Sequence, residues 1–142
     1  AELRDAEGTL VSGAWENVFF GAAGDVRLTG ANPFSCEAGV ASILLQTETR
    51  LPQGEVYALC LARDGERVRV LSAARAFSHD PQPYEVRVTT DGSDPAGGAV
   101  HRAGPVLGAG RVRAALFVAG ERLVEADTDA PRFRIAGSTA PE

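Results

Sequence analysis

The 142-residue chain contains no methionine, no lysine, one tryptophan, two cysteines and two histidines. Each shortage closes off a class of chemistry. Two histidines, His79 and His101, cannot build a histidine-rich zinc site, and no C-x-x-C pair supplies thiolate ligands. There is no P-loop, dinucleotide-binding fingerprint or G-x-S-x-G elbow. "GAAG" at 21–24 and "GAG" at 108–110 lack the strand, turn and helix that would give them meaning. No cofactor is therefore expected. The longest apolar run, "VASILL" at 40–45, is strand-sized and far short of the roughly 18 residues of a membrane span, so no membrane insertion is expected. All 14 basic residues are arginines, set against 19 acids, for a net charge of −5. That balance speaks against nucleic acid and anionic membranes as partners, because phosphate contacts dominate such binding. Without an initiator methionine, and opening on "AELRD", the chain reads as a mature form after signal cleavage or as an excised domain.

What the sequence has in quantity is short alternating segments punctuated by Gly, Pro and Asp. "DVRLTG", "GVASILLQTET", "EVYALCLAR", "ERVRVLSA", "YEVRVTT", "GRVRAALFVA", "ERLVEA" and "PRFRIAG" alternate with period two, the signature of half-buried strands. "EAGVASILLQTE" is the one stretch with a helical alternative, and its β-branched and long apolar content favours a strand. The Gly- and Pro-rich stretch at 89–110 is expected to be a long loop with one short strand around Val100. An apolar content of 44% suits a single globular domain of this length. These features predict an all-β fold, an antiparallel β-sandwich of about seven to nine strands. One domain is expected over 1–136, with a flexible C-terminal tail over 137–142. Such a strand row resembles immunoglobulin-like sandwiches in general architecture. It lacks the Cys…Trp…Cys order of true immunoglobulin domains, because Trp15 precedes both cysteines.

Asp64-Gly65, between two alternating segments, is a strong hairpin signal. A type I′ turn on that pair sets Arg63 opposite Glu66, Leu61 opposite Val68, Leu59 opposite Val70 and Tyr57 opposite Ser72, on an apolar face. The other, more polar face then pairs Ala62 with Arg67, Cys60 with Arg69 and Ala58 with Leu71. Cys60 is a thiol activated by Arg69, half of a structural bridge, or one of two inert thiols. No catalytic partner accompanies it, and an even cysteine count in a short chain favours the bridge. Closing the loop from Cys36 would contribute about 3 kcal/mol on the chain-entropy model. The expectation is a Cys36–Cys60 disulfide and, with it, a secreted, periplasmic or cell-surface location.

Arg27, Arg67, Arg69, Arg87, Arg111, Arg113, Arg132 and Arg134 fall on strand segments, whereas the acids concentrate in turns. Side chains alternate across a strand, which places these arginines on outer sheet faces. There they either form a basic patch for an acidic glycan or protein, or cover the sheet while pairing with nearby acids. Arg67, Arg69, Arg87 and Arg113, together with Trp15, are the binding candidates. "AWENVFFG" clusters three aromatics of the kind that stack on sugars or anchor partners when exposed. At 6% of the chain, however, aromatics are needed for the core. Ser78, His79 and Asp80 are consecutive, and adjacent residues do not converge as nucleophile, base and orienter. No catalytic residue is expected. Asp91, Asp94, Asp127 and Asp129 offer oxygen ligands suited to calcium, but neither "DGSD" nor "DTD" matches an EF-hand loop, and turns are built from the same residues. No metal is expected, and these four are the calcium candidates. The sequence points to a non-catalytic binding module that recognises a glycan or a protein partner through a sheet face and loops, with self-association open. A structural subunit of an appendage, coat or phage-like particle is the alternative. A small hydrolase around His79, His101 and nearby acids is the third reading.

Overall fold

The computed structural model describes residues 1–4, 7–11, 16–108 and 110–130. Among them, eleven strands form three antiparallel sheets and no closed barrel. The largest sheet orders β3 (Phe34–Ser35), β1 (Asn17–Gly24), β5 (Gly54–Asp64), β6 (Arg67–Ala76) and β9 (Val106–Leu107). The second orders β11 (Glu121–Asp127), β10 (Arg113–Val118), β7 (Glu85–Thr89) and β8 (Ala99–Val100). A two-stranded arm pairs β2 (Val26–Thr29) with β4 (Leu44–Thr47). Among the described residues no helix is long and apolar enough to cross a membrane.

The two large sheets pack face to face over one core. Tyr57, Leu59 and Leu61 of β5 meet Val86 and Val88 of β7 and Leu116 of β10 there. A second core lies on the opposite face of the larger sheet. Val18 and Phe20 of β1 and Cys60 of β5 are covered by Leu3, Cys36 and Ala41. The chain start is stitched over this layer: Leu3 N–H donates to Gly39 O at 2.7 Å and Ala41 N–H donates to Ala1 O at 2.8 Å. The result is sandwich-like, with a partial third layer.

Two-sided burial explains the strand that period-two reading misses. β1, "NVFFGAAG", sends Val18 and Phe20 to one core while Phe19 and Ala23 pack against the other. With apolar or small residues on both faces it shows no alternation. Gly21 is required by a close approach: a Cβ there would lie 2.2 Å from the Leu123 carbonyl oxygen of β11. The stretch at 89–110 is more structured than a loop. It holds a 3-10 turn over Pro95–Gly97, capped by the Asp94 side chain on Ala96 N–H, then β8 and β9. "PRFRIAG" and the tail over 137–142 lie outside the described residues.

Replacing Gly21 by Ala is expected to destabilise the protein by about 1–3 kcal/mol, the scale of overpacking a filled site. Gly97→Ala meets no atom within 4 Å and is expected to stay within about 0.5 kcal/mol of the parent. Urea unfolding of the two variants side by side checks both.

Candidate functional site

The β5–β6 hairpin forms where Asp64-Gly65 places it, but in a different register. Asp64 pairs with Arg67, Arg63 with Val68, Leu61 with Val70 and Leu59 with Ser72. The turn is therefore Gly65-Glu66, with Gly65 at φ 62° in first position and Glu66 not at positive φ. That is the glycine placement of a type II′ turn, which demands positive φ only there. The change slides every pair by two positions and leaves the faces as expected. Cys60 consequently lies opposite Leu71, not Arg69.

Its face is not polar either. Cys60 and Cys36 belong to the second core, buried as free thiols, so the structure replaces the expected bridge with two cysteines in one cluster. Burial pushes the Cys60 thiol up to about 12, and the neighbouring Cys36 adds to the shift; Arg69 acts in the opposite direction without offsetting it. Burial and the nearby Glu16 carboxylate raise Cys36 to about 11. Neither is an activated thiolate.

The binding candidates divide into two groups. Arg87 pairs with Glu85 at 2.9 Å on β7. Arg113 pairs with Glu125, which also takes Arg122, and Arg122 reaches Asp94 as well. Arg111 is bound by Asp127. These guanidinium groups cover the outer face of the second sheet in a network of charge-assisted hydrogen bonds, and Arg122 stacks on Phe117. Arg67 and Arg69 of β6 are exposed, and among the described residues they have no ion-pair partner; the same holds for Arg102. Trp15, Arg132 and Arg134 lie outside the described residues.

Three of the four calcium candidates, Asp91, Asp94 and Asp127, are engaged in turns and ion pairs. Asp91 accepts from the N–H and hydroxyl of Ser93, holding its carboxyl below the usual range. Asp94 caps the 3-10 turn and binds Arg122. Burial raises the Asp127 pKa, but Arg111 and the Asp129 N–H outweigh it and bring it down. No group of three or more acidic, histidine or cysteine side chains suited to a metal occurs among the described residues.

A cluster that no motif announces sits at the start of β5. Glu55 is only 4% exposed. Its carboxylate accepts from His79 Nε2 at 2.8 Å and from the Tyr57 hydroxyl at 2.8 Å. Burial pushes its pKa up, yet the bonds from His79, Tyr57 and the Gln82 N–H together bring it below the ordinary 4.5. His79 Nδ1 lies 2.7 Å from the Phe77 carbonyl oxygen. Both ring nitrogens thus face oxygen acceptors, an arrangement that favours the doubly protonated imidazolium over either neutral tautomer. The Glu55 hydrogen bond raises its pKa above 6.5. Ser78, at φ 66°, turns the chain so that the ring can return to Phe77. With both nitrogens engaged, His79 clasps the β6–β7 connection to β5. His101 lies elsewhere, bonded through Nε2 to Gly104 O at 2.8 Å.

Two adjoining recesses lie along β6. A groove of about 760 Å³ is lined by Ser72 of β6 with Tyr84, Glu85, Val86, Val100, His101 and Arg102, and the Ser72 and Tyr84 hydroxyls are hydrogen-bonded across it at 3.0 Å. A recess of about 380 Å³ beside it is bounded by Asp64, Arg67, Arg69, Gly104 and Pro105. Val70 and Leu71 border both. Compared with protein-family models, curated proteins and solved structures, the chain gives no significant match to any of them.

Three outcomes follow. The Glu55–His79 pair contributes its full stability between about pH 4.5 and 6.5, the ordinary values of the two groups. The contribution falls away as pH rises through the elevated His79 pKa, and as pH falls through the lowered Glu55 pKa. The Tm difference between the parent and His79→Asn should be largest in that window and shrink on both sides. An NMR titration should show His79 moving back toward 6.5 in Glu55→Gln. The thiols should resist iodoacetamide at pH 8 in the native state. Both should be alkylated on unfolding without any reductant, which intact mass reads directly.

Proposed function

We propose that the protein is a non-catalytic binding module on an immunoglobulin-like sandwich, recognising an acidic protein partner through the arginine-bearing strand β6 and the loop over residues 101–105. One contrast carries this reading. Arg87, Arg111, Arg113 and Arg122 are neutralised by acids on their own sheet and its loops. Arg67, Arg69 and Arg102 have no ion-pair partner among the described residues; Arg67 and Arg69 line a recess with Asp64, and Arg102 lines the adjoining groove with Glu85. A molecule of net charge −5 that leaves three cations unpaired at one place has a local potential opposite to its overall one. The immunoglobulin-like architecture is supported by the face-to-face antiparallel sheets. The export reading rested on a disulfide that the structure does not hold, and it is not carried further.

The test is retention of fluorescent poly-L-glutamate at low salt, with heparin as the glycan counterpart. The double variant Arg67→Glu/Arg69→Glu is expected to weaken binding about tenfold, while Arg87→Gln leaves it unchanged. Preferential binding of heparin would make the ligand a glycan. Binding of neither probe would remove the proposal.

A second reading, assembly, draws on a different observation. Leu44 and Leu51 are 71% and 79% exposed, and Leu45 stands beside them at the two-stranded arm. An assembly subunit would show concentration-dependent mass by light scattering, lost in Leu44→Ser/Leu51→Ser.

A further inference from the structure

Strand β6 runs from Arg67 to Ala76, but only its first two residues are paired on the outer side. Arg67 meets Leu107 and Val68 meets Val106 of β9. Pro105 and Gly104, the latter at φ 78°, then turn the chain away. Among the described residues nothing pairs with the edge from Arg69 to Ala76. In an antiparallel ladder successive residues address alternate sides. Phe77 N–H donates to Gly54 O on the β5 side, and Gly108 N–H donates to Glu66 O on the β9 side. The alternation therefore aims the N–H and C=O groups of Val70, Ser72 and Ala74 at the open edge. Of the usual devices that blunt an edge, this one has no proline and no lysine and, among the described residues, no covering segment. It carries arginines at 67, 69 and 75 only.

We propose that this edge is a strand-addition site, and that its occupant is an extended acidic segment of a partner protein that continues the sheet in line with β9. The proposal rests on the binding reading above and names how the partner is held. Main-chain bonds to Val70, Ser72 and Ala74 supply affinity, and alternate side chains supply selection. Arg69, Leu71 and Arg75 share the outer face of β6. At an added strand they occupy the non-hydrogen-bonded positions, where facing side chains approach most closely. The fitting segment carries acids opposite Arg69 and Arg75 and an apolar residue opposite Leu71. Its other face lies toward Tyr84, Val86 and Val100 across the groove. A second copy of this chain is the poorer occupant. Two β6 edges paired antiparallel about Ser72 set Arg69 against Arg75, like charge against like.

The probe is a labelled nine-residue threonine–valine peptide with glutamates at its second and eighth positions, titrated by fluorescence anisotropy. Binding is expected, with amide exchange slowed at Val70, Ser72 and Ala74. Replacing the glutamates by lysines should abolish it. N-methylation of alternate peptide residues should weaken it about tenfold, the scale of losing two main-chain hydrogen bonds. This arm leaves the protein untouched. Ala74→Pro removes an N–H that the fold itself does not use, and it should weaken binding similarly. Arg69→Glu should lower affinity about fivefold.

Unchanged affinity for the N-methylated peptide, or no peptide binding, would overturn strand addition. If poly-L-glutamate or heparin still bound and Arg67→Glu/Arg69→Glu abolished that binding, the broader reading would survive alone. If charge reversal left every probe unaffected, both would fall. Dimerisation that Ala74→Pro abolishes would identify the occupant as a second copy and overturn the acidic partner.

Discussion

Burial of β5 on both faces is the constraint from which the rest of the structure follows. Tyr57, Leu59 and Leu61 belong to one core, and Cys60, with Val56 and Ala58 beside it, belongs to the other. A central strand of this kind needs two covers. The second sheet provides one, and the chain start with residues 36–43 provides the other. β1 pairs with β5 along seven residues and inherits the same condition. It meets that condition with small residues, and at Gly21 with none at all. The condition is hardest to meet at Glu55, where the sequence places a carboxylate inside. Three hydrogen bonds keep that charge tolerable, and one of them comes from a histidine whose two acceptors favour its own charged form. The β6–β7 connection is fixed by that need.

The distribution of arginine pairing follows from the same layout. On the second sheet, β11 and the loop over residues 91–94 bring Glu125, Asp127 and Asp94 within reach of neighbouring guanidinium groups. β6 has no such supply. Its partner β5 offers Glu55, which is buried and committed to His79 and Tyr57, and Asp64 at the turn. The cations on β6 are therefore unpaired because of topology, although acids outnumber bases in the chain as a whole. Exposed pairs contribute little to stability, so leaving these arginines without partners costs the fold little.

Strands that present one apolar face to a single core are legible in the sequence, and β5, buried on both faces, is located by the Asp64-Gly65 hairpin signal that follows it. Alternation locates β6, β7, β10 and β11, and the expectation of an all-β antiparallel fold rests on these strands. β1 is not legible, because two-sided burial erases the alternation. The hairpin is legible but its phase is not: a glycine at positive φ fits either central position, and Asp64 belongs to the strand. The pairing of Glu55 with His79, 24 residues apart, follows no period, since it depends on how a connecting segment returns over a strand end. The paired and unpaired arginines look alike in sequence, because "RVRV" and "RVRA" differ only in which neighbours the sheets bring to them.

Arg63 closes the far end of β5. Its guanidinium donates to the carbonyl oxygens of Gly108 and Gly110 and to Thr128 Oγ1. Together with the Gly108 N–H on Glu66, these bonds pin the C-terminal end of β9 against the hairpin turn. β9 then acts as a fixed end-stop on a ruler. Whatever lies along the remaining edge of β6 must begin where Val106 ends, and a slip of one residue would turn every side chain to the wrong face. Arg63 thereby gives a short, two-residue strand the stiffness to define a reading frame.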